Sequence, residues 1–141
     1  MSSANLDFVR SMFAPWERGD FSSAHWADPQ IEFVVADGPE PSRSHGVGEM
    51  ARAWAAFLGA ADHLRVHADE YRELDDSRVL VLVHTSGHGK TSGMELDQMR
   101  AGANVYRLQN GKVTSFVIYV NREHALTDLG LAREGREADP N

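Results

Sequence analysis

Asp37 stands where a strand-like run, Phe33-Val-Val-Ala, breaks into the loop Gly38-Pro-Glu-Pro-Ser-Arg-Ser-His45. Nine residues after it, Gly46 opens an apolar helical pattern that can shelter a carboxylate from water. A sheltered carboxylate within reach of a carbon acid can serve as a general base. An Asp-Gly-Pro sequence equally suits a solvated, structural turn. A second candidate is His84, which alternates with Ser86 and His88 and so shares one face of a strand with them. His84 could exchange a proton near neutral pH. It could also lie on the convex face, because a slip of one residue in pairing reverses the side it faces. Arg100, beside Glu95, Asp97 and Gln98, could hold an anionic substrate or polarise a carbonyl opposite Asp37; the alternative is a solvated strand end. His63, His67, His84 and His88 do not suggest a metal site, since strand residues four apart are separated by about 13 Å. Gly87-x-Gly89-x-x-x-Gly93 joins two strand patterns and lacks the following helix that a phosphate cradle requires.

The elements that must position these groups are legible in outline. Leu6, Phe8, Val9, Met12, Phe13 and Trp16 fall at helical spacing, with Gly19 as a left-handed stop. Pro15 is expected to kink the last turn or end it early. Asp20 can cap a short second helix carrying Phe21, Ala24 and His25 and closed by Asp28-Pro29. Ile31–Ala36 reads as a first short strand. Val47, Met50, Ala51, Trp54, Phe57 and Leu58 form one face of a third helix. From Leu64 the period changes to four β-rich runs: Leu64–Leu74, Arg78–His88, Met94–Leu108 and Lys112–Val120. Asn110-Gly111 between the last two is a strong hairpin signal. Asn121 then caps a closing helix, Arg122–Leu129, stopped by Gly130.

This order predicts an α+β domain with a four-strand antiparallel meander. Long strands in a small domain must curl to bury one face, and helices on the concave side leave a conical cavity. Length and composition suit one domain over residues 1–131, with a disordered tail at 132–141. The net charge of −7 argues against nucleic acid. The absence of cysteine excludes disulfides and thiolate chemistry. No apolar run reaches the roughly 18 residues of a membrane span, so a cytoplasmic protein without membrane attachment is expected.

Six segments carry a family resemblance: Trp16-Glu-Arg-Gly-Asp20, Ala36-Asp-Gly-Pro-Glu-Pro41, Arg78-Val-Leu-Val-Leu-Val83, Gly87-His-Gly-Lys-Thr-Ser-Gly93, Asn110-Gly-Lys-Val113 and Tyr119-Val-Asn-Arg-Glu-His-Ala-Leu126. Over roughly residues 5–131 the chain resembles the SnoaL-like proteins of the nuclear transport factor two superfamily, which includes ketosteroid isomerase and polyketide cyclases. The resemblance implies a cone-shaped fold: a strongly curved antiparallel sheet around three N-terminal helices, with a short C-terminal helix. It also implies a hydrophobic pocket and a homodimer formed through the sheet. Carried over by position, the isomerase base falls on Asp37, its second acid on Asn104 and its phenol on Met12. Asn104 can donate a hydrogen bond and Met12 cannot. Trp16, Phe33, Trp54 and Phe116, with Met12, would surround a small apolar ligand. The expected function is therefore a pocket protein, read as a cofactor-free isomerase, cyclase or dehydratase acting on an apolar carbonyl compound. Asp37 would be the base, with Asn104 and His84 or Arg100 stabilising the enolate. The alternative is a non-catalytic binding or dimerisation module of the same fold. Neither a cofactor nor a metal is expected.

Overall fold

The computed structural model describes residues 4–20, 25–37, 41–58, 61–89 and 101–131. Within these, the order is α1 (Ala4–Glu17), β1 (Ala27–Val35), β2 (Ser42–His45), α2 (Val47–Leu58), β3 (Ala61–Glu73), β4 (Arg78–Gly89), β5 (Ala101–Gln109), β6 (Lys112–Tyr119) and α3 (Arg122–Leu129). The expected short second helix falls mainly on residues 21–24, outside the described residues, as does the expected start of the fifth strand at 94–100. The strands form one open sheet in the order β2-β1-β6-β5-β4-β3.

The meander from β3 to β6 is antiparallel throughout, as its turn signals predict. Asn110 and Gly111 both take positive φ, 54° and 75°, the pairing a two-residue hairpin turn demands. The closing helix is also where its caps place it. The Asn121 side chain accepts from the Glu123 N–H, and Gly130 ends the helix in the left-handed conformation. In α1 the helix runs two residues beyond Pro15, and Gly19 then takes a φ of 83°.

Three features of the sheet depart from expectation. First, β1 begins at Ala27, so Asp28-Pro29 lies inside a strand and does not close a helix. Pro29 sits in the irregular stretch between Ala27 and Glu32, where the ladder to β6 is interrupted and its missing N–H costs little. Second, Ser42–His45, expected as loop, pairs antiparallel with β1. Its sequence has no apolar alternation; Arg43–Glu32 and His45–Gln30 side-chain contacts hold it instead. Third, β1 and β6 run parallel, with Phe33 opposite Phe116 and Val35 opposite Ile118, so the sheet is mixed.

Strand alternation divides the apolar residues into two clusters. Val79, Val81, Tyr106, Val113, Phe116 and Ile118 face α1 and α2 together with Phe33, Trp16, Phe13 and Met50. Leu80, Leu82, Ala103 and Val105 face the other way, against Ala125 and Leu126 of α3. Burial on both faces accounts for the unbroken apolar run Val79–Val83. Helix α1 is tied to the meander at the bulge in β3, where the Ala68 N–H donates to Glu17 Oε2 at 3.2 Å. Helix α2 starts at Gly46, whose φ of +86° suits glycine and whose N–H donates to the Ile31 carbonyl at 2.7 Å.

Two outcomes follow. A Cβ at Gly102 would lie 2.6 Å from the Tyr119 carbonyl oxygen, so Gly102→Ala should cost about 1–3 kcal/mol in a urea titration. In the β3–β4 turn, the Ser77 N–H and then the Arg78 side chain hold the Asp75 carboxyl at about 2, below its ordinary 3.8. A depressed folded-state value contributes stability above the ordinary value that is lost as pH falls towards the lower one. The stability gap between the wild type and Asp75→Ala should therefore be constant above about pH 4 and narrow as pH falls towards about 2.

Candidate functional site

On the inner face of β5, Asn104 and Tyr106 occur two residues apart and therefore point the same way. Asn104 is 3% exposed and Tyr106 is fully buried. The Asn104 Nδ2 donates to the Tyr106 phenol oxygen at 2.9 Å. Burial pushes the phenol well above its ordinary value, and the hydrogen bond from Asn104 opposes that only in part. Tyr106 is therefore a neutral O–H donor. Its oxygen receives the amide proton, and no acceptor among the described residues takes the phenolic one. Turning the amide over would make the phenol donate to the Asn104 carbonyl and leave the amide N–H groups unspent. In either arrangement the pair retains a donor in apolar surroundings.

Those surroundings are aromatic. Trp16, Phe33, Trp54, Tyr106 and Phe116 form a continuous set of ring contacts with centroids 4.7 to 6.1 Å apart. Met12, Trp16, Phe33 and Phe116 are buried in this inner cluster, and Trp54 is its half-buried member on α2. The family resemblance had set all five around one cavity. Arg100 lies outside the described residues.

Asp37 reaches this neighbourhood through the parallel pairing of β1 with β6. The Ala36 N–H donates to the Ile118 carbonyl at 2.9 Å, continuing the ladder one residue past β1. Asp37 Oδ1 then accepts from the Val120 N–H at 2.6 Å. Its Oδ2 accepts from the Asn121 N–H at 3.1 Å and lies 2.6 Å from His124 Nδ1. The carboxylate is 13% exposed and joins the end of β1 to the start of α3. Val35 and Asn104 both register on Ile118, two strand spacings or about 10 Å apart, and Tyr106 is level with Phe33; Asp37, two residues beyond Val35 and four beyond Phe33, lies further along the strand direction than either. His124 was not a candidate in the sequence. Only its place in the closing-helix motif marked it, and its partnership with Asp37 spans 87 residues.

His84 is not part of this group. It shares its face with Leu80 and Leu82, on the side of the sheet that α3 covers. There its Nδ1 lies 2.7 Å from Asp69 Oδ1, and its ring stacks on His67 at 4.7 Å. Asp69 Oδ2 accepts from Arg122, which also donates to the Val83 and Gly102 carbonyls. His84 thus belongs to an ion-pair network that fastens α3 to the sheet. Among the described residues no group of three or more His, Asp and Glu side chains converges as metal ligands would.

A curved sheet wrapped around α1 and α2, with an aromatic interior, defines a cone of the nuclear transport factor two-like class. The chain belongs to the SnoaL-like domain family, whose sequence model matches residues 9–116. Its structure is similar to an NTF2-like protein of unknown function from Burkholderia pseudomallei K96243, at 19% identity over 89% of this chain and 97% of that one, TM-score 0.73. It is also similar to a protein from Jannaschia sp. CCS1 assigned as a SnoaL-like polyketide cyclase, at 13% identity over 94% and 99% of the two chains, TM-score 0.72. A third likeness is to a protein of ketosteroid isomerase-like fold from Catenulispora acidiphila DSM 44928, crystallised with trimethylamine, at 14% identity over 93% and 98%, TM-score 0.67. No protein of curated function matches the sequence.

With both carboxylate oxygens engaged, Asp37 has a measurable structural share. Asp37→Asn places an amide against the Asn121 N–H or His124 and should lower the unfolding free energy by about 1–3 kcal/mol. The urea midpoint should fall with no change in slope.

Proposed function

We propose that this chain takes up a small apolar carbonyl compound, one carbonyl oxygen of which Tyr106 and Asn104 engage at the floor of an aromatic pocket. The observation that carries this reading is the buried Asn104-to-Tyr106 hydrogen bond with its unspent donor. A donor kept neutral and dry in an apolar site binds an oxygen more strongly than it would in water. Flat ligands suit walls made of Trp16, Trp54 and Phe116. This phenol, on β5, replaces the donor that the Met12 position on α1 lacks.

The same pair supports cofactor-free acid/base chemistry. A hydrogen bond to the carbonyl oxygen acidifies the adjacent carbon, and Asp37 takes the proton as the enolate charge settles against Tyr106. Returning that proton to another carbon completes an isomerisation. In a compound with a second carbonyl, attack of the enolate on that carbon, with the proton held by Asp37 passing to the new alkoxide, completes a cyclisation. To act as a base, Asp37 must release at least one of its three donors. Their hold on the carboxylate favours the second reading, a binding protein of the same fold without catalysis.

The two readings separate on one set of variants, assayed where all remain folded. Against a panel of cyclic and polycyclic ketones, Tyr106→Phe should weaken binding about tenfold. Asp37→Asn should leave binding intact and reduce turnover at least about a hundredfold. Wild-type binding without turnover would establish the binding protein. Equal ketone affinity of the wild type and Tyr106→Phe would refute the carbonyl site itself.

A further inference from the structure

The outer face of the sheet holds a recess of about 180 Å³, on the side away from the Tyr106 site, lined by Arg78, Val105, Arg107, Ser115, Val117, Tyr119 and Leu129. Register explains how it is built. Arg78, Arg107 and Ser115 are direct cross-strand neighbours on β4, β5 and β6, forming a polar row. The next row on that face is Leu80, Val105 and Val117. Beyond it lie Ala103 and Tyr119, with Leu129 contributed from α3.

The polar row is electrostatically costly as it stands. Like charges directly opposite on neighbouring strands destabilise a sheet, by about 0.2–1 kcal/mol. Here two guanidinium-bearing residues are paired although the chain carries a net charge of −7. Asp75 neutralises Arg78 in part, through its Nε at 2.8 Å. Arg107 donates only to the Ser77 hydroxyl, at 3.4 Å, and has no carboxylate partner among the described residues. An anion seated between the two would offset the repulsion, and guanidinium groups bind carboxylates with directed, paired hydrogen bonds. Two residues along β5, about 7 Å from that row, the row of Leu80, Val105 and Val117 is apolar, and Tyr119 beyond it turns its hydroxyl to Asp128 at 3.1 Å.

We infer that this recess is a second ligand site, which takes a small carboxylate with an aryl or short alkyl body. The carboxylate sits against Arg78, Arg107 and the Ser115 hydroxyl, and the body lies over Val105 and Val117 under Leu129. The volume is below that of a drug-sized pocket and limits the body to about one ring or a short chain. This site is independent of the ketone pocket and does not rest on it.

The test titrates the full-length protein with phenylacetate and with hexanoate at fixed ionic strength, read by chemical-shift changes and thermal unfolding. Saturable binding is expected, weakened about tenfold for the neutral amides and for Arg107→Gln. Without ligand, Arg107→Gln should be at least as stable as the wild type, because one of two opposed charges is gone. Tyr106→Phe should bind these acids unchanged. Absence of saturable binding, or equal affinity for acid and amide, would overturn the site. So would loss of binding as protein concentration rises, which would mark the face as a contact between copies of the chain.

Discussion

The parallel pairing of β1 with β6 is the contact on which the site depends. It sets Phe33 beside Phe116 and Val35 beside Ile118, and so joins the N-terminal strand to the last hairpin. The segments are more than 80 residues apart in sequence, so loop closure opposes their meeting. Apolar burial offsets that cost, since Phe33 and Phe116 are both buried in the cluster around Trp16. Once the strands are joined, the chain beyond β1 has one place to go. Ala36 continues the ladder and Asp37 meets two backbone N–H groups at the end of β6. The same pairing sets β5 one strand further in, with Asn104 level with Ile118 and Val35.

Strand β5 serves both faces of the molecule by simple alternation. Asn104 and Tyr106 point into the aromatic cluster, while Val105 and Arg107 point outward. The two faces differ in how their polar groups are treated. Inside, a neutral pair is withdrawn from water and partly satisfied by itself, which keeps one donor available. Outside, two cations are paired across strands at a partly exposed position, where an incoming anion would relieve them. Both are departures from the least costly side-chain choice, and such departures are where function is expected.

Asp37 has a structural part whatever its chemistry. As a strut it links β1, the β6 terminus and α3 through hydrogen bonds from two backbone groups and an imidazole contact. The same bonds tie its carboxylate to the start of α3. The network of Arg122, Asp69 and His84 on the outer face helps hold it. That network gives His84 a role in fastening α3.

Local chemistry was enough to read much of this molecule from its residues. The Asn110-Gly111 turn, the Asn121 and Gly130 caps and the apolar stripe of α2 depend on neighbours within a few positions, and all occur where their patterns put them. The common placement of Trp16, Phe33, Trp54 and Phe116 followed from family likeness. Residue types, with the family likeness for Asn104, made Asp37, Asn104 and His84 the candidate groups. Which of them face one another was not encoded locally. A period of two gives each strand two faces without naming the inner one, so His84 was assigned only when β4 was packed under α3. Strand β2 has no apolar alternation and exists because β1 offers an edge. Tyr106 became a partner for Asn104, and His124 for Asp37, only through burial and contacts formed in the assembled sheet. The sequence by itself determined the helices α1, α2 and α3 and the strands of the meander, because those rest on short-range sterics and hydrogen bonding. The tertiary structure alone decided their alliances, because parity, register and the parallel β1–β6 contact are properties of the packed whole.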